Sequence, residues 1–322
     1  SDILKLARDF MESRVLLTAV ELDLFTLLGD VPLSAQDAAA RTGAEVRALG
    51  FLLDALAAMG FLVKERETYR TVPAVLPLLS SSHPDSVRPM VLHAAHLWRR
   101  WSRLTDIVAG GKSLPEKPER RKKETEAFIG AMHVVAEPMA AGIAKEVAPG
   151  SSKAFLDVGG ASGTYTIAFL QAVPEMKATL FDRPGVVEMA QKRIAEAGLL
   201  DRVTLVAGDF SRDELPGGHD LALLSAIIHQ NSPEENRDLC GKVNRALVSG
   251  GRIIIRDHVM EPDRTRPKDG ALFAINMLVG TEGGGTYTFG EIESWLKAAG
   301  FTGTRLLRKG ERMDALVEAF KP

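Results

Sequence analysis

Five short apolar runs, at 154–158, 178–181, 203–206, 221–224 and 252–256, alternate with helical periodicity at 164–172, 185–197, 233–247 and 290–299. Runs this short with little polar alternation suit strands buried on both faces, and a helix after each strand brings the chain back to the same edge. The pattern predicts an open parallel α/β sheet. Ligands of such sheets bind beyond the carboxyl ends of the strands, where neighbouring connections diverge. Residues that carry chemistry should therefore stand just after the apolar runs.

Upstream, Ile3, Leu6, Ala7 and Phe10, then Val15, Leu16, Ala19 and Val20, recur at helical spacing and predict one amphipathic helix or two. Ser34 with Asp37 is a capping pattern for a helix stopped by Gly43, and a second helix is expected over 44–59, ending at Gly60. Phe61-Leu62-Val63, the charged turn Lys64-Glu65-Arg66-Glu67 and Tyr69-Arg70-Thr71 then make a two-stranded ribbon. Two short helices and a ribbon outline a winged helix-turn-helix. Its second helix, from which base contacts would come, sets Arg47 against Glu45 and Asp54 and is rich in Leu49, Phe51, Leu52, Leu53, Leu56 and Met59. That surface suits packing against another chain or domain. With 40 Lys and Arg against 42 Asp and Glu, the whole chain also lacks the basic footprint of a nucleic-acid binder.

A helix is expected within 84–110, with His93, His96 and Leu97 on one face, and the charged run 116–126 reads as solvated surface. Helical spacing returns at Phe128, Met132 and Val135 and restarts after Pro138 at Met139 and Ile143; Pro149-Gly150-Ser151-Ser152 punctuates the chain before the sheet. The single cysteine, Cys240, permits no internal disulfide, and no Cys/His run has ligand spacing, so no metal is expected. Uninterrupted apolar stretches fall short of the roughly 20 residues that span a bilayer. Residues 1–10, with Asp2, Lys5, Arg8 and Asp9, do not read as a secretory signal. A cytoplasmic protein without a membrane partner is expected.

The first strand leads into Asp157-Val158-Gly159-Gly160-Ala161-Ser162-Gly163. Its glycines allow a tight turn and close approach of a ligand to the backbone. The dinucleotide fingerprint fails at Ala161 and Thr164, and no lysine makes a phosphate loop. The carboxylate of Asp157 would repel a pyrophosphate yet could receive an ammonium group. Asp182, closing the second strand, is placed for a ribose diol, and Asp209 with Phe210 after the third for an adenine amino group and ring face. Three acidic residues at successive strand ends imply an adenosine that carries positive charge and no phosphate, which describes S-adenosylmethionine.

With these residues the sequence resembles the class I S-adenosylmethionine-dependent small-molecule O-methyltransferases of the caffeic acid and hydroxyindole type. Phe181-Asp182-Arg183-Pro184-Gly185-Val186 matches their F-D-x-P-x-V segment, Gly208-Asp209-Phe210 their G-D-F/M, Ile275-Asn276-Met277-Leu278 their L-N-M-L, and Thr288-Phe289-Gly290-Glu291 through Ala299-Gly300-Phe301 their closing motif. The resemblance covers nearly the whole chain. It implies a Rossmann-like methyltransferase sheet over 111–322 and, over 1–110, a mainly α winged-helix dimerisation domain with a helical connector, giving a homodimer.

The resemblance also implies roles. His229, after the fourth strand, stands where the family has its general base, with Gln230-Asn231 in place of Asp-Trp; Asp257 matches one acidic orienter, and Thr286 replaces the second. No metal is required. Ser225 completes a cofactor set of Asp157, Gly159, Gly160, Gly163, Asp182, Asp209 and Phe210. A free imidazole near 6.5 facing a phenol near 10 has a deficit of about 5 kcal/mol, so proton removal concerted with methyl transfer is favoured. Phe128, Met132, His133, Phe273, Asn276 and Met277 are candidates to line the site of an aromatic or conjugated acceptor. N- or C-methylation, or a different non-methylating reaction, on the same fold stays open, as does a winged-helix transcriptional regulator that senses a ligand through the α/β half.

Overall fold

The computed structural model describes residues 2–29, 31–83, 86–111, 118–147 and 149–322. Two units emerge, one of Ser1–Ser102 with Pro115–Val134 and one of Arg103–Leu114 with Val135–Pro322. In the first, the opening stretch forms three helices, α1 (Asp2–Arg8), α2 (Phe10–Glu21) and α3 (Leu24–Leu27). β1 (Leu33–Ser34) runs into α4 (Ala35–Thr42), where Ser34 Oγ accepts the Asp37 N–H at 3.1 Å and Gly43 ends the helix. α5 (Val46–Ala58) begins later than expected because the Glu45 carboxylate caps the N–H groups of Arg47 and Ala48 at 2.9 and 2.7 Å.

β2 (Leu62–Glu65) and β3 (Thr68–Thr71) form the antiparallel ribbon, and β1 adds a third strand beside β3. Lys64 and Glu65, expected in the turn, belong to the strand; Arg66, in the left-handed region, makes the turn. α6 (Leu76–Leu79) and α7 (Arg88–Trp101) follow, and Leu24, Phe25, Leu28, Leu53 and Leu56 are fully buried in this unit's core. Several large apolar side chains are instead exposed, including Ile3, Leu4, Leu6, Phe10 and Met11 on α1 and α2 and Phe51 on α5.

α8 (Leu104–Val108) precedes α9 (Pro118–Val147), which runs unbroken through Pro138. The expected restart is therefore corrected. Ala136 before the proline and Ala140, Ile143, Ala144 and Val147 after it are all buried in one apolar cluster, and that burial outweighs the roughly 3 kcal/mol cost of an internal proline. Within α9, residues 127–147 are long and apolar enough to cross a membrane by length and composition only, although Glu137, Lys145 and Glu146 interrupt the apolar run. Its C-terminal turns pack with β-sheet residues such as Phe155, Leu221 and Ile254.

The sheet elements follow as β4 (Ala154–Val158), α10 (Thr164–Ala172), β5 (Lys177–Asp182), α11 (Pro184–Glu196), β6 (Val203–Ala207), β7 (His219–Ser225), α12 (Pro233–Ala246) and β8 (Leu247–Asp257). Then come β9 (Val259–Met260), α13 (Lys268–Gly280), β10 (Tyr287–Thr288), α14 (Phe289–Ala298), β11 (Thr302–Arg308) and β12 (Ala315–Phe320). The strand order is β11-β12-β8-β7-β4-β5-β6. β8, β7, β4, β5 and β6 are parallel as expected, whereas β12 is antiparallel to both β8 and β11. A short connection between neighbouring strands can only reverse direction, so the closing pair makes the sheet mixed. The order turns around at β4, whose neighbours are β5 and β7. The switch point thus falls where the glycine-rich turn leaves β4.

Candidate active site at the carboxyl edge of the sheet

Gly159 leaves β4 at φ +68, and a Cβ there would come within 2.4 Å of Ile227 Cδ1. Glycine is required on both counts, conformation and space. Gly160 is equally confined, because a Cβ would meet Leu180 at 2.7 Å and the Asp157 carboxyl carbon at 2.9 Å. Ala161 takes a left-handed conformation and donates its N–H to Asp182 Oδ2 at 2.9 Å, tying the turn to the end of β5. Gly163 caps α10. The turn is a cradle that side chains would fill.

The acidic residues differ in what they can offer. Asp157 is buried and accepts from Thr166 Oγ1 at 2.6 Å, and burial pushes its carboxyl up to about 6. It lies against Gly160 of the turn and is braced on α10. Burial also raises the Asp182 carboxyl, against the N–H groups of Ala161 and Arg183 that favour its charge. Asp209 is more exposed, and the Ser211 hydroxyl and N–H hold its carboxyl below the usual range. Phe210 is fixed through its backbone: the buried Lys242 donates to its carbonyl at 2.8 Å, a brace that sequence reading missed.

At the end of β7 the chain enters a short 3-10 turn, Ile228–Gln230, through Ala226 at φ +58. Non-glycine residues in that region store strain, which tends to mark functional sites. The turn is held on several sides. Asn236 Nδ2 donates to the Ile228 carbonyl at 2.8 Å, Gly285 N to the His229 carbonyl at 2.9 Å, and the Tyr287 hydroxyl to the Asn231 carbonyl. Gln230 and Asn231, the replacements noted above, bond to the Ala226 carbonyl and Asn236 Oδ1 at 3.0 and 3.1 Å. Gln230 therefore braces the turn from within, and Asn231 ties it to α12.

The result is a buried pair. His229 Nδ1 lies 3.0 and 2.9 Å from the two oxygens of Asp257. Burial would raise the Asp257 carboxyl, but the imidazole beside it and the His258 N–H at 2.8 Å more than offset this and hold it below the usual range. An ionised carboxylate only accepts, so the ring proton sits on Nδ1 and the lone pair on Nε2. Among the described residues Nε2 makes no hydrogen bond. Thr286 is buried, and its carbonyl accepts from Arg264 at 2.8 Å; its hydroxyl does not bond the His229 ring.

Phe273 on α13 packs edge-on against His229, ring centroids 4.8 Å apart, and lies 5.1 Å from His258. Asn276 and Met277 follow one turn later on the same helix. Phe128, Met132 and His133 belong to the part of α9 in the first unit, where Phe128 meets the His93 ring at 5.4 Å. Cys240 is buried on α12, its thiol pushed up to about 12 by burial, and takes no part in the site.

A family model described as an O-methyltransferase domain matches residues 107–302, and one described as an O-methyltransferase dimerisation domain matches residues 4–75. The chain is 33% identical over 316 residues to the tetracenomycin polyketide synthesis 8-O-methyl transferase of Streptomyces glaucescens, covering 94% of this chain and 92% of that one. It is 32% identical over 311 residues to a 3-hydroxy-5-methyl-1-naphthoate 3-O-methyltransferase of Streptomyces sahachiroi, covering 94% and 90%. Among solved structures, human N-acetylserotonin methyltransferase in complex with S-adenosylmethionine superposes with a TM-score of 0.83 at 25% identity, covering 99% of this chain and 96% of that one.

Proposed function

The chain belongs to the S-adenosylmethionine-dependent O-methyltransferases with a dimerisation domain, and we propose that it methylates a phenolic hydroxyl with His229 as general base and without a metal ion. The observation that carries this reading is the buried His229–Asp257 pair at the carboxyl edge of the sheet, with Nε2 unengaged. The turn Gly159–Gly163 and Asp182, Asp209, Phe210 and Ser225 would hold S-adenosylmethionine, Asp182 at the ribose and Asp209 with Phe210 at the adenine. Asp157 would act on its ammonium group through the turn it braces. When bound, this cofactor supplies an electrophilic methyl group on a sulfonium. The protein supplies position and a proton acceptor.

Nε2 of His229 would take the acceptor's hydroxyl proton as the oxygen attacks, and Asp257 would stabilise the imidazolium so formed. Phe273 packs against the ring, and Asn276 and Met277 on the same helix are proposed to line the acceptor site. The names of the two bacterial relatives direct the first assay to fused aromatic acids. A hydroxynaphthoate, its methyl ether and its amino analogue, incubated with methyl-labelled S-adenosylmethionine, should give label in the first alone, as an ether by mass spectrometry. Label on the amine or on ring carbon would move the reading to N- or C-methylation.

We divide the chain near residue 110, with the preceding part forming a homodimer interface through its exposed apolar side chains. Phe51 is 61% exposed on α5, whereas Leu53 is fully buried in the core of its own unit. Phe51→Asp is therefore expected to shift sedimentation from dimer to monomer while leaving the thermal transition close to that of the unmodified protein. Leu53→Asp would bury a charge and unfold the unit instead. A monomeric unmodified protein would remove the role given to this surface.

A further inference from the structure

S-adenosylmethionine carries a sulfonium, an ammonium and a carboxylate, and the residues assigned so far answer only to its ribose, base and positive charges. The carboxylate has no partner among them. Among the described residues, one buried cation on the same edge of the sheet lacks an anion. Arg256, paired in register with Ser225 across β8 and β7, is 3% exposed. Its guanidinium makes two bonds, both to weak neutral acceptors: Nη1 to Ser225 Oγ at 3.2 Å and Nη2 to Met139 Sδ at 3.1 Å. Buried Nε has no acceptor among the described residues.

Among the described residues no carboxylate pairs with it, and the following are engaged elsewhere. Asp257 faces His229, Glu318 pairs with both Arg252 and Arg305, Glu146 pairs with Arg308, and Asp157 accepts from Thr166. A buried guanidinium without a counterion is costly, and mutation or a ligand must relieve it. The guanidinium also lies 5.4 Å from the ring of Tyr165, in the first turn of α10 immediately after Gly163. That end of a helix disfavours a cation and favours an anion. Ala226, strained at φ +58, donates its N–H to the Arg256 carbonyl at 2.8 Å and so locks the strand end that carries the side chain.

We infer that Arg256 is the counter-charge for the α-carboxylate of S-adenosylmethionine, held by Ser225 and Tyr165 at the first turn of α10. This rests on the reading that the cofactor occupies the glycine-rich turn. Arg256 orients the methionine arm and, through it, the line from the sulfonium to the acceptor; it is a positioning residue.

Calorimetry with two ligands tests this: S-adenosylmethionine and its decarboxylated analogue, which lacks only the carboxylate. The unmodified protein should prefer S-adenosylmethionine by roughly 10- to 100-fold, the range for a buried charge-assisted pair. Arg256→Gln should erase that preference by weakening S-adenosylmethionine alone, and Arg256→Lys, which keeps the charge, should retain part of it. No preference in the unmodified protein, a preference that survives in Arg256→Gln, or equal weakening toward both ligands would overturn the assignment. Failure of the unmodified protein to bind either ligand would instead overturn the cofactor reading on which it rests.

Discussion

His229→Ala is expected to lower kcat for a phenolic acceptor by roughly 100- to 10,000-fold, the usual contribution of a positioned general base, with S-adenosylmethionine affinity essentially unchanged. The separation follows from the geometry. His229 sits on the turn after β7 and is held by Asp257 from β8, whereas the ribose and adenine groups are proposed to lie on β5 and β6. Removing the ring also leaves the edge of Phe273 uncovered, so α13 could shift and disturb acceptor binding. His229→Gln fills most of that space without supplying a base. It should show the same loss of kcat with a KM closer to that of the unmodified protein. A near-normal kcat in both variants would place the base elsewhere or show that proximity alone carries the transfer.

The second large effect is expected at Asp182. Asp182→Ala should weaken S-adenosylmethionine by at least roughly 100-fold, because each of two hydrogen bonds from a ribose diol to a half-buried carboxylate contributes a net of about 1.5–3 kcal/mol and tenfold corresponds to about 1.4 kcal/mol. Part of this loss would come from the turn itself. The same carboxylate anchors the N–H groups of Ala161 and Arg183, so alanine frees the glycine-rich segment as well. Asp182→Asn keeps an acceptor in place for the turn and should fall between the two. Calorimetry would read both, and unchanged affinity in Asp182→Ala would remove the ribose assignment.

Residues at strand ends were the most legible part of this site. Asp182, Asp209 and His229 each follow an apolar run and Asp157 stands near the end of one, and the alternation of runs and helical periods places such positions on one edge. The His229–Asp257 pair followed only from the family resemblance; the structure shows that adjacent β7 and β8 bring the two together. The structure adds that the ring reaches both carboxylate oxygens, that Gln230 bonds within its own turn and that Asn231 ties the turn to Asn236 on α12.

Less visible features share a physical cause. Arg256 stands in a run read simply as a strand, and strand alternation puts it on the face opposite Asp257, but nothing in the sequence says which groups meet it there. Phe51 and Leu53 lie in one continuous apolar stretch, where a shift of two positions turns a side chain from solvent to core. The segment 268–280 is apolar on nearly every side, so it lacks the polar stripe by which a helix is recognised. Pro138 signalled a break that burial on both sides overrides. The closing antiparallel pair β11 and β12 departs from the parallel pattern because no helix separates its strands.

The central claim, that His229 removes the acceptor proton during transfer, is tested most directly by varying the acidity of the acceptor. Single-turnover rates would be measured for the unmodified protein and His229→Ala with ring-substituted hydroxynaphthoates whose hydroxyl pKa runs from about 10, that of an ordinary phenol, to below the assay pH. The account predicts a large deficit for the least acidic acceptors that closes as the hydroxyl becomes ionised in solution, because a phenolate needs no base. A deficit of the same size across the whole series, or none at its weakly acidic end, would contradict it.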